Sequence, residues 1–252
     1  MVFLLPLDSL MSDSMKTIQE NWYDLLRIVI EDGETHEKDD GDILQEHLVN
    51  HCMISNPLKQ IGNTHITSEM FIDLIKKGAF DIKDYPIKGP ALAEYVESLI
   101  DEEIIRGGGF VYTYPERIFN IKLSNRDNEV RRYNQFRIIY NRLKNYDGSN
   151  RAVMTLYSAG LDETEQHIPC LQFLQATIRN NKLMLHVFFR SNDLYSAFPS
   201  NMLFISYIGI KLVEDLRETY PLLEFEGISY NSSSLHIYQG DIEQAKKIIN
   251  GD

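Results

Sequence analysis

Apolar residues recur along this chain at two different periods. At helical spacing, Trp22, Leu25, Leu26 and Val29 predict a helix over 14–30, with Ser14 or Asp13 as its N-cap. Leu92, Tyr95, Val96, Leu99 and Ile100 predict another over 90–105, opened by Pro90, where no amide partner is lost. Phe136, Ile139, Tyr140 and Leu143 predict a third over 131–145. The stretch 201–218 is mostly apolar (Met202, Leu203, Ile205, Ile208, Leu212, Val213, Leu216) and predicts a core helix. Short helices are expected over 68–77, ended by Gly78, and over 241–249. Strand character is strongest in 171–178 and 182–189, two apolar runs joined at Asn180-Asn181. Those two residues tolerate positive φ, so the pair predicts a hairpin of buried strands. Segments 151–158, 222–230 and 233–238 also predict strands, and 56–84 a strand or two. The charged, glycine-containing segment 31–42 predicts a loop. Helices and strands intersperse without strict alternation, which gives an α+β fold with a large mixed sheet. A helical segment over 1–55 leads into a main domain over 56–252, expected to be continuous with it.

Composition narrows the function classes. The chain has 252 residues, 43% apolar and 25% charged, an ordinary globular balance. A net charge of −12 argues against general nucleic-acid binding, which needs a basic face. It does not forbid a small anionic substrate, because local arginines decide phosphate binding once distant charges are screened. Two cysteines and seven scattered histidines show no metal-ligand spacing, so no metal is expected. The opening MVFLLPL lacks a basic start and is interrupted by Pro6 and Asp8, which suits a terminal strand or docking segment better than a signal peptide. No apolar run has the length of a membrane span. A reducing cytoplasm, where a thiol stays free, is the expected compartment.

Reactive side chains bracket the predicted hairpin. Cys170 follows Pro169 just before the first strand, and Arg190-Ser191-Asn192-Asp193 ends the second; Pro199 and Asn201 come next. Taken alone, a free cysteine is most often a small buried hydrophobe. The ordered set changes that reading. A proline-cysteine, RSxD twenty residues beyond the cysteine, then PxN, resembles the active-site segment of thymidylate synthases and the related pyrimidine-nucleotide hydroxymethylases. Leu235-His236-Ile237-Tyr238 resembles the HxY motif of the same family, and the stretch from Gly109 to Arg117 resembles its glycine-tyrosine-arginine segment in the short, archaeal-type form.

The resemblance implies a thymidylate synthase-like catalytic domain, a sheet-mediated homodimer, and one-carbon transfer from 5,10-methylenetetrahydrofolate to C5 of a pyrimidine nucleoside monophosphate. Cys170 would be the nucleophile, with Arg190 as its guanidinium partner, since the thiolate is the reactive form. Arg190 and Ser191 would hold the 5′-phosphate. Asp193 would steady the folate ring or the bound intermediate. Asn201 offers one donor and one acceptor, which match O4 and N3–H of uracil and point to dUMP. His236 and Tyr238 share a strand face and would meet the sugar 3′-hydroxyl. Glu94, or next to it Glu97, would organise water around the base, and Tyr112 joins the catalytic set. Where the family has two arginines reaching across the dimer, this chain has Asn150-Arg151, so Arg151 alone would reach the partner's phosphate site. The family's histidine after the cysteine is Leu171, Trp22 is the sole tryptophan, and the chain ends soon after Tyr238. A site without stacking tryptophans and a closing tail admits water. Water capture gives a 5-hydroxymethyl product, so a hydroxymethylase is the alternative, and a non-catalytic nucleotide-binding relative is the second.

Overall fold

The computed structural model describes residues 15–100, 113–124, 129–165 and 167–251; Tyr112 and Gly109 lie outside them. Helix α1 (Ile18–Asp32) begins later than the apolar spacing predicts, because Thr17 and not Ser14 or Asp13 caps it. The Thr17 hydroxyl accepts from the Glu20 amide at 3.1 Å, and the Glu20 carboxylate accepts from the Thr17 amide at 2.8 Å. That reciprocal box satisfies two otherwise orphaned donors.

Residues that the hydropathy pattern leaves as loop or unassigned form β1 (Glu34–Glu37) and β2 (Ile43–Ser55). Every β1 residue is exposed, so no alternation marks it as a strand. No strand forms between β2 and α2 (Ser68–Lys76); a 3₁₀ turn over Pro57–Ile61 stands there. Helix α3 (Gly89–Ser98) buries Leu92, Ala93 and Val96. Helix α4 (Tyr114–Phe119) precedes a separate two-stranded sheet, β3 (Ile121–Ser124) with β4 (Val130–Tyr133). The helix predicted from 131 therefore begins at Gln135, where Asn134 caps α5 (Gln135–Asn145) by accepting from the Arg137 amide at 2.7 Å. The chain continues through β5 (Val153–Thr155), α6 (Ala159–Asp162), β6 (Leu171–Arg179), β7 (Lys182–Asp193), α7 (Phe198–Leu216), β8 (Glu224–Tyr238) and α8 (Ile242–Asn250).

The main sheet runs β1-β2-β8-β7-β6-β5. Only the β7–β8 pairing is parallel, so the sheet is mixed, as the pattern predicts. The predicted hairpin is β6–β7, turning at Asn180 and Asn181 with φ of 52° and 60°. The two strands predicted over 222–238 are one. Asn231 and Ser232 read as a break, yet Ser232 pairs with Phe189 and the Asn231 side-chain amide donates to the Val187 carbonyl at 3.3 Å. Gly227, at φ +153°, lets β2 close on β8: a Cβ there would lie 2.1 Å from the Ile54 carbonyl oxygen.

Helix α7 is buried on nearly all sides and lies on the sheet, with Gly209 so close to Phe225 that a Cβ would meet its ring at 2.3 Å. The buried indole of Trp22 on α1 donates to the Leu194 carbonyl at 2.8 Å and ties the first helix to the segment before α7. Along β7, Leu183, Leu185, Val187 and Phe189 are buried on one face. The alternate residues Met184, His186 and Phe188 are not, and Phe173 stands beside them on β6. Apolar side chains on an uncovered sheet face mark a surface that wants a partner.

Candidate active site

The hairpin converts a twenty-residue separation into contact. Leu171 pairs with Phe189, so the ladder's next step sets Cys170 across from Arg190, whose amide donates to the Cys170 carbonyl at 2.9 Å. The Arg190 guanidinium turns back over the same loop. Its Nε donates to the Pro169 carbonyl at 3.1 Å and its Nη2 to the Ile168 carbonyl at 2.8 Å. Nη2 also lies 3.7 Å from Cys170 Sγ, and Ser191 Oγ lies 3.9 Å from the same sulfur. Cys170 is a free cysteine and only partly buried.

Parallel pairing brings in the second motif. Asp193 registers with His236 and Ser191 with Ser234, and the Leu194 amide donates to the His236 carbonyl at 2.8 Å. His236 and Tyr238 pack edge to face with ring centroids 5.3 Å apart. Both ring nitrogens of His236 are buried and have no hydrogen-bond partner among the described residues. Burial pushes its imidazole down to about 4. Asp193 accepts from the Ser196 amide at 3.0 Å, which starts the turn into α7, and burial pushes its carboxyl up. Asn201 sits in the first turn of α7, buried, and its Nδ2 donates to Asn192 Oδ1 at 3.1 Å.

Cys170, Arg190, Ser191, Asp193, Asn201, His236 and Tyr238 thus lie on the hairpin end, the facing end of β8 and the start of α7. Glu94, its alternative Glu97 and Arg151 do not join them within the chain. Glu94 is exposed on α3 and has no bond to Cys170, Asp193 or Asn201 among the described residues, and Glu97 is half-exposed in an ion pair with Lys76 at 2.9 Å. Arg151 is exposed just before β5; its carbonyl is bonded by Arg142 and its amide donates to Ser149 Oγ at 3.1 Å.

The structure gives a place to Tyr114 of the glycine-tyrosine-arginine stretch, on a helix and not a strand, and adds residues that the spacing did not single out. Tyr114 stacks on Phe204 at 5.9 Å, and its hydroxyl accepts from the Leu171 amide at 3.2 Å, beside the irregularity that opens β6. Tyr95, neighbour to Glu94, lies within electrostatic reach of Ser200, Asp193 and Cys170; burial pushes its phenol up. Lys38, from the β1–β2 turn, stands 5.4 Å over the Tyr238 ring while paired with Asp40 at 2.7 Å and Asp42 at 3.2 Å. Asn192 occupies the variable position of RSxD, the one signal the sequence offers for it. Among the described residues no group of His, Cys, Asp or Glu could hold a metal, and no helix is long and apolar enough to cross a membrane.

Comparison with known proteins agrees with this geometry. The family model described as thymidylate synthase matches residues 98–251. A protein of Methanothermobacter marburgensis named "Putative thymidylate synthase" is 26% identical over 241 residues, spanning 94% of this chain and 96% of its own. Proteins of the same name from Methanosarcina mazei and Methanocaldococcus jannaschii are 28% identical over 236 residues and 30% over 195 residues. The former spans 94% of this chain and 93% of its own, the latter 75% and 80%. With Cys170, RSxD, PxN and HxY gathered at one end of a mixed sheet, the chain belongs to the thymidylate synthase family, in its short archaeal-type form, and so to the one-carbon transferases that act on pyrimidines.

Proposed function

We propose that the protein transfers a one-carbon unit from methylenetetrahydrofolate to C5 of dUMP, giving dTMP, through a covalent adduct of Cys170 at C6. The observation that carries this reading is the meeting of the Cys170 thiol with the Arg190 guanidinium and Ser191 hydroxyl, within 3.9 Å, in a member of that family. Addition of the thiolate to C6 moves the C5–C6 electron pair toward O4 and leaves C5 a carbon nucleophile. Arg190 and Ser191 hold the 5′-phosphate by planar pairing and one added donor. Asn201 keeps a carbonyl oxygen and one N–H for the base and matches N3–H and O4 of uracil. An unpartnered ring nitrogen of His236 suits one hydrogen bond with a hydroxyl, here the sugar 3′-hydroxyl beside Tyr238. Asp193 uses Oδ1 on the Ser196 amide, so Oδ2 suits the N–H donors of a pterin ring; burial pushes this carboxyl up. Methylenetetrahydrofolate supplies the methylene and, for a methyl product, the hydride.

Glu94 and Tyr112 act at the base, and Arg151 reaches the phosphate of a second copy bound through the uncovered sheet face. One observation favours hydroxymethylation as a second reading. The sole tryptophan, Trp22, is buried and bonded to Leu194, so none is left to stack on folate and shed water. Incubation of purified protein with dUMP and methylenetetrahydrofolate decides between them. Mass spectrometry should find dTMP, with dihydrofolate absorbance rising in step. Hydroxymethyl-dUMP without dihydrofolate would replace the first reading by the second, and no exchange at C5 would remove both.

A further inference from the structure

We infer that Asn192 is a specificity-determining positioning residue: it locks the Asn201 amide against the flip that would let one side chain serve either uracil or cytosine. The inference rests on the reading that Asn201 faces the base. A primary amide is ambivalent. In one orientation it donates to O4 and accepts from N3–H of uracil; flipped, it accepts from the cytosine amino group and donates to N3. Asn201 by itself would therefore not select.

The orientation is dictated from a backbone carbonyl inward. Ser232 Oγ donates to the Ser234 carbonyl at 2.8 Å, and a carbonyl can only accept, so the single Ser232 proton is committed there. The Tyr230 hydroxyl is within electrostatic reach of Ser232, and with the Ser232 proton committed to the carbonyl only the Tyr230 proton can lie between the two oxygens. With its proton so used, Tyr230 Oη accepts from Asn192 Nδ2 at 3.0 Å. Asn192 accordingly turns Oδ1 toward Asn201 and accepts from Asn201 Nδ2 at 3.1 Å. Asn192, Asn201, Tyr230 and Ser232 are 2%, 5%, 0% and 2% exposed, so water cannot readily substitute for a lost partner. A flipped Asn201 would set its own oxygen against Asn192 Oδ1, two acceptors with no proton between them. Relieving that clash means reversing Asn192 and Tyr230 as well, which leaves Ser232 facing a second donor's place with no proton to offer. The cost is shared along the wire and falls on the wrong base.

The test compares dissociation constants for dUMP and dCMP, by calorimetry on the full chain, in wild type, Asn192→Leu and Tyr230→Phe, with Asn201→Asp as the control. Asn192→Leu removes the lock at similar volume and should lower the dUMP/dCMP preference about tenfold, as one mismatched buried hydrogen bond implies. Tyr230→Phe frees Asn192 to turn and should lower the preference roughly threefold; it also decides the matter if the leucine variant does not fold. Weaker binding of both nucleotides at an unchanged ratio would mean a merely structural role and overturn the inference. If Asn201→Asp moves the ratio while neither lock variant does, the lock fails and the reading of Asn201 stands. A ratio unmoved by Asn201→Asp would overturn both.

Discussion

At the scale of single residues, the site combines a free, partly buried cysteine with buried polar groups whose titration is shifted by burial. Cys170→Ser should abolish turnover while dUMP still binds, because an alcohol of similar shape is a far poorer nucleophile at neutral pH; turnover retained in that variant would remove Cys170 from the mechanism. His236 makes a prediction about stability. Burial holds its imidazole near 4 against an ordinary 6.5, so in the folded state it stays neutral where the unfolded chain takes up a proton. Its contribution is present in full above pH 6.5 and is lost as pH falls through that window toward 4, by at most on the order of 3 kcal/mol. Asp193 acts with the opposite sign, since its raised carboxyl relieves a cost as pH falls. Comparing chemical denaturation of wild type with His236→Phe between pH 7 and pH 4 separates the two. The variant should lack the His236 part of the loss, and identical slopes would show that the imidazole is not held neutral. The grouping of Cys170, Arg190, Asp193 and Asn201 was expected from the family motif they resemble, and the hairpin supplies the contact between Cys170 and Arg190. Asn192 and Tyr95 were not legible in the sequence, because their partners are distant in sequence and only the folded register brings them together.

At the scale of elements, periodicity reports burial, and it succeeds where burial is one-sided or complete. The β6–β7 hairpin and α7 were legible for that reason, down to the Asn180-Asn181 turn. The β1–β2 hairpin was not: β1 is wholly exposed, and β2 draws its place from pairing with β8 over its whole length. Strand β8 was read as two because Asn231 and Ser232 look like a turn, while parallel pairing to β7 and a side-chain bond to Val187 hold them extended. Two substitutions probe these contacts. Gly209→Ala gains helix propensity of up to ~1 kcal/mol on paper, yet its methyl would sit 2.3 Å from the Phe225 ring. Overpacking of this kind costs about 1–3 kcal/mol, so thermal denaturation should show a net loss of stability. Asn181→Ala tests the turn. Alanine at φ 60° forfeits the tolerance that asparagine has for the left-handed region and should destabilise by about 1 kcal/mol, with no change in dUMP affinity because the turn is at the far end of the hairpin from Cys170.

At the scale of the whole molecule, one chain leaves two things unfinished. The sheet carries Phe173, Met184 and Phe188 on a face that is not buried, with Phe188 39% exposed. Arg151, the one cation that aligns with the arginines reaching across a dimer, is exposed beside the edge strand β5 and away from its own Cys170 cluster. The proposed two-fold pairing through the uncovered face would answer both, since an isologous contact would bury the apolar residues of each copy and would carry each Arg151 to the other's site. The consequence is complementation between two dead proteins. Cys170→Ser lacks the nucleophile, and Arg151→Ala lacks the borrowed phosphate contact. In a mixed dimer, the site holding the intact cysteine receives the intact arginine from the other chain, while the second site has neither. Random exchange of equal amounts makes half the dimers mixed, each with one working site of two, so activity should recover to about a quarter of wild type. Sedimentation or native mass spectrometry must show that subunits have exchanged. Exchange without recovered activity would keep Arg151 in its own subunit, and a monomer at working concentration would remove the composite site altogether.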